Sequence, residues 1–334
     1  MQLHPAFIFL GGLVVILLGA EVLLRGAQRL ATLLGVPPVI IGLTVVTVGT
    51  TMPELAVSVT AAQQGQSGLS VGNIAGTNVF NILVILGLSA VVRPIPLRLL
   101  SFKLDVPVMI GAALALIVMA WDGVLSQADG MLLLIGALSY TLALVLLSRR
   151  ESPAMRREFA EEFGRDTVTA APGDALPRSR WVRGAWYLGL LLFGIAVTLL
   201  GAQLLVSGAV SLARAFGVSD EIIGLTIVAM GTSAPELATT VVATLKDDRD
   251  VAIGNLVGSC IYNILVILGV SGLVAADGVT VVRDVLWIDL PLAAAVAILL
   301  LPVFHSGDNV SRREGALFVG IYGLYLGSLL ALRT

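Results

Sequence analysis

Residues 42–56 read GLTVVTVGTTMPELA, and residues 224–238 read GLTIVAMGTSAPELA. The two stretches begin 182 positions apart, and sliding the chain against itself by that shift aligns 19–89 with 201–271 without a gap, at 34 identities in 71 positions. The identities are not confined to generic Leu and Val but include polar and helix-breaking residues. They include Gly42-Leu43-Thr44, Gly49-Thr50, Pro53-Glu54-Leu55, Gly72-Asn73, Gly76 and the whole run 81–87. Shared apolar composition does not produce such a match, so the chain carries an internal duplication.

Composition places both copies in a bilayer. The 334 residues are 57% hydrophobic and 13% charged, against about 25% charged in soluble domains. At about 20 apolar residues per spanning helix, there is room for about ten spans and for no soluble catalytic domain. Apolar runs between charged or Gly/Pro-rich breaks predict spans near 6–33, 37–63, 69–91, 105–121, 128–148, 184–214, 221–245, 251–275, 285–303 and 315–332. The stretch from Pro5 to Leu18 has no Lys or Arg before it and no small-residue cleavage site after it, so it reads as the first span rather than a removable signal. Cys260 is the only cysteine, and His4 and His305 are the only histidines. Disulfide frameworks, zinc sites and haem sites therefore lack raw material, and any bound metal ion is held by oxygen. No Gly-rich loop ends in Lys-Ser or Lys-Thr. No cofactor, nucleotide or nucleic acid is expected as a partner.

On these spans Arg29, Arg93, Arg98, Lys103, the eight arginines of 149–183, Lys246, Arg249, Arg312 and Arg313 fall on one side, and only Arg214, Arg283 and Arg333 on the other, sixteen against three. The positive-inside bias puts the first side in the cytoplasm and both termini outside. The mixed-charge segment 149–183 is then a solvated cytoplasmic linker, too poor in apolar residues to form a core. It separates 1–148 from 184–334, with five spans in each. Because five is odd, the second copy enters the membrane upside down. The predicted fold is an all-α polytopic membrane protein of ten transmembrane helices in two inverted five-helix repeats. Helices 2, 3, 7 and 8 are expected to be broken, on the plan of secondary transporters whose discontinuous helices meet at the midplane.

Span 2 carries Gly49-Thr50-Thr51-Met52-Pro53-Glu54 and span 7 carries Gly231-Thr232-Ser233-Ala234-Pro235-Glu236. Proline lacks an N–H, and its ring clashes with the carbonyl four residues earlier. Pro53 and Pro235 are therefore expected to free carbonyls near Gly49 and Gly231 and, by extension, those of Thr47 and Ala229. Free carbonyls at membrane depth need a cation or water. A mid-span Glu costs roughly 2.5–3.5 kcal/mol on insertion scales, so Glu54 and Glu236 at equivalent places ask for a function. Spans 3 and 8 carry Gly72-Asn73-x-x-Gly76-Thr77-Asn78-x-x-Asn81 and Gly254-Asn255-x-x-Gly258-Ser259-Cys260-x-x-Asn263. A spacing of four stacks Thr77 on Asn81, Ser259 on Asn263, Thr50 on Glu54 and Thr232 on Glu236. Calcium takes about six to eight oxygen ligands of these kinds, and hydroxyls and carbonyls suit sodium equally. Blander readings stand beside these. The paired glycines are close-packing devices, Thr44 and Thr226 bond back to their own helices, and Glu21 pairs with Arg25. Asp105-Val-Pro107 and Asp289-Leu-Pro291 read as helix-start caps.

These motifs resemble the two alpha repeats of the cation/calcium antiporter superfamily, specifically its sodium/calcium exchanger branch and bacterial relatives, over both halves of the chain. The resemblance implies ten spans in a prokaryotic plasma (inner) membrane and calcium exchanged for sodium by alternating access. Its ion ligands, carried over by position, are Glu54, Thr50, Thr51, the carbonyl of Thr47, Thr77 and Asn81, then Glu236, Thr232, Ser233, the carbonyl of Ala229, Ser259 and Asn263. It also implies that the first and sixth spans slide against the rest, which the Gly19-Ala20 to Gly26-Ala27 and Gly201-Ala202 to Gly208-Ala209 faces would allow. Some members of the sodium/calcium branch place an acid where this chain has Asn263. Here two carboxylates neutralise one calcium or two sodium ions, and a third sodium leaves excess charge in a poorly solvated place. A proton/calcium antiporter is the rival, because a carboxyl in such a place can carry the proton itself. The hydroxyl-rich Thr50-Thr51 and Thr232-Ser233 resemble the sodium-using branch more than the proton-using one. Duplicated, inverted and broken helices favour an antiporter over a channel, and a membrane enzyme lacks a nucleophile with an activating base. The expected partners are calcium, sodium and the lipid bilayer, with the oligomeric state left open.

Overall fold

Proline and glycine set the limits of the first helix. In a computed structural model of the chain, which describes residues 4–35, 38–63, 68–96, 102–148, 180–217, 229–306 and 309–333, α1 runs Pro5–Leu34. The ring of the N-cap His4 accepts from the Ala6 N–H at 3.3 Å, and Pro5 takes the first helical position, where no donor is needed. Gly35 ends the helix at φ 69°, its N–H directed at the carbonyls of Ala31 and Thr32, a conformation that glycine adopts without a Cβ penalty.

The second span bends at its middle. α2 comprises Pro38–Ile41, a π-helical turn Gly42–Val46, and Thr47–Thr50. Thr51 leaves the helix at φ −81°, ψ 6°, and α3, Met52–Gln63, departs at 53°. Pro53 cannot donate back to the Gly49 carbonyl, so the helix restarts instead of continuing. α4 follows as Gly68–Phe80, a π turn Asn81–Leu86, and Gly87–Val92. Next come α5 Phe102–Met119, α6 Gln127–Ser148 and α7 Arg180–Ala215. After the short turn Ala229–Gly231 come α8, Ala234–Leu245, and α9 as Arg249–Tyr262, a π turn Asn263–Leu268, and Gly269–Val274. α10 joins a π turn Val285–Asp289 to Leu290–Ser306, and α11 is Arg312–Arg333. Six helices among the described residues are long and apolar enough to cross a membrane, and the bent α2–α3 pair makes a seventh. The chain is a polytopic helical membrane protein.

Four expectations are corrected. Spans 3 and 8 are not broken: α4 and α9 run on through their π turns, because neither contains a proline and a widened turn keeps the helix going while shifting its register. The chain is not purely helical: β1 Ile95–Pro96 pairs antiparallel with β4 Asn309–Val310, and β2 Val124–Leu125 with β3 Val279–Thr280, each ribbon joining one half to the other. Asp105 is no cap: it sits inside α5, buried, and accepts from the Tyr140 hydroxyl at 2.9 Å. Asp289 ends a π turn and accepts from the Tyr325 hydroxyl at 3.2 Å. Of the linker, 149–179 lies outside the described residues, and 180–183 forms the first turn of α7.

The interior is largely apolar, with a buried polar cluster set into it. Leu132, Ile135, Leu138 and Leu142 of α6, with Leu10, Val14 and Leu18 of α1, point outward, as a lipid-facing surface requires, while Glu, Asn, Thr and Ser cluster inside. α1 and α7 pack along a seam of glycines spaced by seven. A Cβ on Gly12, Gly19 or Gly26 would come within 2.3, 2.5 and 2.6 Å of the backbone nitrogens of Leu205, Thr198 and Leu191. One on Gly194, Gly201 or Gly208 would come within 2.3, 2.3 and 2.4 Å of those of Leu23, Ile16 and Phe9. The paired numbers always add to the same total, which is the signature of two antiparallel helices in one register with backbones touching.

Candidate ion site

Each repeated glutamate opens a helix. Glu54 lies in the first turn of α3 and Glu236 in the first turn of α8, just past Thr51 and Ser233, which leave the helix with nearly the same backbone angles (Ser233 at φ −84°, ψ 6°). The first N–H groups of a helix have no partner within it and carry partial positive charge, which favours a carboxylate there. Glu54 is 0% exposed and Glu236 1%, and none of their four oxygens has a hydrogen-bond partner among the described residues. Thr232 and Ser233 face Glu54, Thr50 faces Glu236, and the two carboxyls are close enough to interact electrostatically.

The surrounding oxygens extend the pattern. Thr77 Oγ1, both amide atoms of Asn81, Ser233 Oγ, Ser259 Oγ and Asn263 Oδ1 are buried and unpartnered among the described residues. So are Ser58 and Thr240, one turn beyond each glutamate, and Ser89 and Ser271 farther along α4 and α9. Glu54 and Glu236, Ser58 and Thr240, Thr77 and Ser259, Asn81 and Asn263, and Ser89 and Ser271 are each 182 positions apart. Buried polar atoms are ordinarily satisfied. A set of orphans repeated by the duplication marks a place shaped for a guest with positive charge or for water.

Other expected ligands are engaged. The Thr47 carbonyl accepts from Thr51 N at 3.0 Å, Thr51 Oγ1 at 2.9 Å and Thr50 Oγ1 at 3.3 Å. Pro53 therefore does not free it: the donor that proline removes is the one to Gly49, while the Thr51 N–H and the hydroxyls of Thr50 and Thr51 all reach the Thr47 carbonyl. The Thr47 hydroxyl donates to the Gly42 carbonyl at 2.7 Å. Ala229 begins the short turn before Gly231, and Thr232 lies between that turn and α8. Thr44 bonds back to the Ile40 carbonyl at 2.6 Å, while Thr226 lies outside the described residues. Glu21 pairs with Arg25 at 2.6 Å and also with Lys246. Among the described residues no three His, Cys, Asp or Glu gather, so two carboxylates set the charge here.

Two asparagines belong to this network that sequence reasoning did not single out. Asn255 lies 3.2 Å from Thr50 Oγ1 through Oδ1 and donates to Thr239 Oγ1 at 2.9 Å. Asn78 accepts from Asn263 Nδ2 at 3.0 Å and donates to the Cys260 carbonyl at 3.1 Å. Asn255 was open to detection as the repeat partner of Asn73, and Asn78 as the point where the repeat breaks, since its counterpart is Cys260.

Fold and site together define a polytopic membrane protein with a two-carboxylate centre lined by hydroxyls and amides. The sodium/calcium exchanger protein family matches residues 4–147 and 186–331, and the chain belongs to that family of cation antiporters. The CaxA protein of Alkalimonas amylolytica is 36% identical over 328 residues, covering 95% of this chain and 97% of the relative. The inner membrane protein YrbG of Escherichia coli K12 is 34% identical over 323 residues, covering 95% and 94%. The sodium/calcium exchanger MaX1 of Methanosarcina acetivorans is 30% identical over 343 residues, covering 96% of each. A solved structure of the sodium-calcium exchanger NCX_Mj, soaked with sodium and calcium, matches 100% of both chains at 29% identity and a TM-score of 0.78.

Proposed function

We propose that this chain exchanges calcium for sodium by alternating access, with Glu54 and Glu236 binding either ion in turn. The observation that carries this reading is the pair of buried carboxyls at the starts of α3 and α8, unpartnered among the described residues and accompanied by buried, unpartnered polar side chains that recur at the repeat spacing. Two carboxylates balance one calcium or two sodium ions, so the two cargoes compete for one set of ligands and exclude each other. The ligands in this reading are Glu54, Thr50, Thr51, Thr77, Asn81, Glu236, Thr232, Ser233, Ser259 and Asn263. The carbonyls of Thr47 and Ala229 join them when the hydroxyls of Thr50 and Thr51, and their counterparts, turn away. Ten helices in two inverted repeats, 1–148 and 184–334, hold this centre, with 149–183 in the cytoplasm and both termini outside. The glycine seam lets α1 and α7 travel together as the site opens to one side and then the other. Sodium as the counter-ion is supported by the hydroxyl-rich turns and by the names of MaX1 and NCX_Mj.

The test is calcium exchange in proteoliposomes by Glu54→Gln and Glu236→Gln. Each substitution keeps the size of the side chain, removes the charge and is expected to abolish exchange. Retained exchange in either variant would remove the core of the proposal.

A further inference from the structure

A cation takes the oxygen of an amide and never its NH2, so an asparagine ligand works only when it is turned the right way. We infer that Asn78 is the positioning residue that turns the Asn263 carbonyl oxygen towards the ion, an inference that rests on the exchange reading above.

The polarity follows from a main-chain group whose role is fixed. The Cys260 carbonyl can only accept, and the Asn78 amide stands 3.1 Å from it, so Nδ2 occupies that end of Asn78. Oδ1 is then the end facing Asn263, at 3.0 Å, and only the NH2 of Asn263 can meet it. The opposite end of Asn263 is therefore Oδ1, buried and unpartnered among the described residues. Ser259, one turn earlier on the same face of α9, presents another oxygen unpartnered among the described residues. Network logic of this kind is the way an amide orientation is assigned.

The first half of the site has no such lock. The counterpart of Asn78 is Cys260, whose thiol, a weak hydrogen-bonding group, lies beside Asn81, and neither amide atom of Asn81 has a partner within hydrogen-bond geometry among the described residues. The duplication has thus diverged to one fixed amide and one free one. Asn78 also bears on the choice of amide over acid at position 263: a carboxylate there would set oxygen against Asn78 Oδ1 at a separation of 3.0 Å. Relief would require Asn78 to turn and abandon the Cys260 carbonyl.

The experiment is calcium uptake into proteoliposomes by wild-type protein, Asn78→Ala, Asn78→Leu, Asn263→Ala and the double variant Asn78→Ala with Asn263→Ala. Leu keeps the branched heavy-atom skeleton of Asn without its polarity, where Ala opens a cavity. Loss of groups that orient metal ligands typically lowers affinity about 10- to 100-fold. The Asn78 variants are expected to raise the calcium KM at least about tenfold with kcat held within about twofold, and the double variant to be no worse than Asn263→Ala alone. A lowered kcat at unchanged KM, or an Asn78 effect that adds in full to that of Asn263→Ala, overturns the orientation role. Loss of monodisperse protein in both Asn78 variants does the same, by assigning Asn78 to packing. Wild-type protein that takes up no calcium overturns the exchange reading together with this one.

Discussion

At position 263 an amide stands where the other repeat has its own amide, Asn81, and in the proposed site the charge available to cargo is that of Glu54 and Glu236. Converting Asn263 to Asp adds one negative charge beside two, enough to balance a further monovalent ion or proton. Asn263→Asp is predicted to change the sodium coupling or the pH dependence of exchange without abolishing transport, read as calcium uptake against sodium and pH. An unchanged profile would show the charge argument to be empty. The glutamates were legible in the sequence because each is a charge in the middle of an apolar span with no opposite charge one turn away, and the two recur at the repeat spacing. Asn78 was not, since its meaning depends on a partner 185 positions away. That the Thr47 carbonyl is engaged was not legible for a local reason: the loss of a donor at Pro53 was extended from Gly49 to Thr47, which keeps the Thr51 N–H and gains the hydroxyls of Thr50 and Thr51.

Among the helices, proline announced the bend between α2 and α3, whereas the π turns of α4 and α9 carry no punctuation that distinguishes a bulge from a break. The glycine seam was half legible. Gly19, Gly26, Gly201 and Gly208 flagged a small-residue face, but only the structure shows that face meeting its own repeat copy, backbone to backbone. Adding bulk there must push α1 and α7 apart, and overpacking of this kind costs about 1–3 kcal/mol. Gly19→Leu or Gly201→Leu is therefore predicted to lower the thermal midpoint in detergent and to stop exchange. Gly11→Leu, at a glycine with nothing within 4 Å of its Cβ position, should do neither. Equal effects at all three sites would reject the seam. On the same helix, Glu21 is tied to Arg25 and Lys246, and Gln28 donates to Asp248 at 2.6 Å. Partly exposed pairs of this type contribute about 0–1 kcal/mol, so Glu21→Gln is predicted to keep calcium exchange. Its loss would place Glu21 in the transport machinery.

For the molecule as a whole, the duplication was the most readable feature. A shift of 182 positions locates both glutamates and the four other pairs of buried, unpartnered polar side chains among the described residues. The contacts between halves were not readable, because nothing in the sequence of either half says which face it turns to the other. The sidedness drawn from the distribution of Lys and Arg has its own check. Ser152→Cys, in the charged linker, should react with a membrane-impermeant maleimide only from the cytoplasmic side, against a background in which the native Cys260 is buried. Labelling from outside would invert the topology. The central claim is exchange at a two-carboxylate site, and the measurement that meets it most directly is radioactive calcium uptake into sodium-loaded proteoliposomes, beside matched vesicles carrying a pH gradient and no sodium. Uptake that requires internal sodium, and is lost in Glu54→Gln and Glu236→Gln, is the predicted result. Uptake driven by the pH gradient alone would contradict it and make the glutamates carriers of protons rather than of sodium.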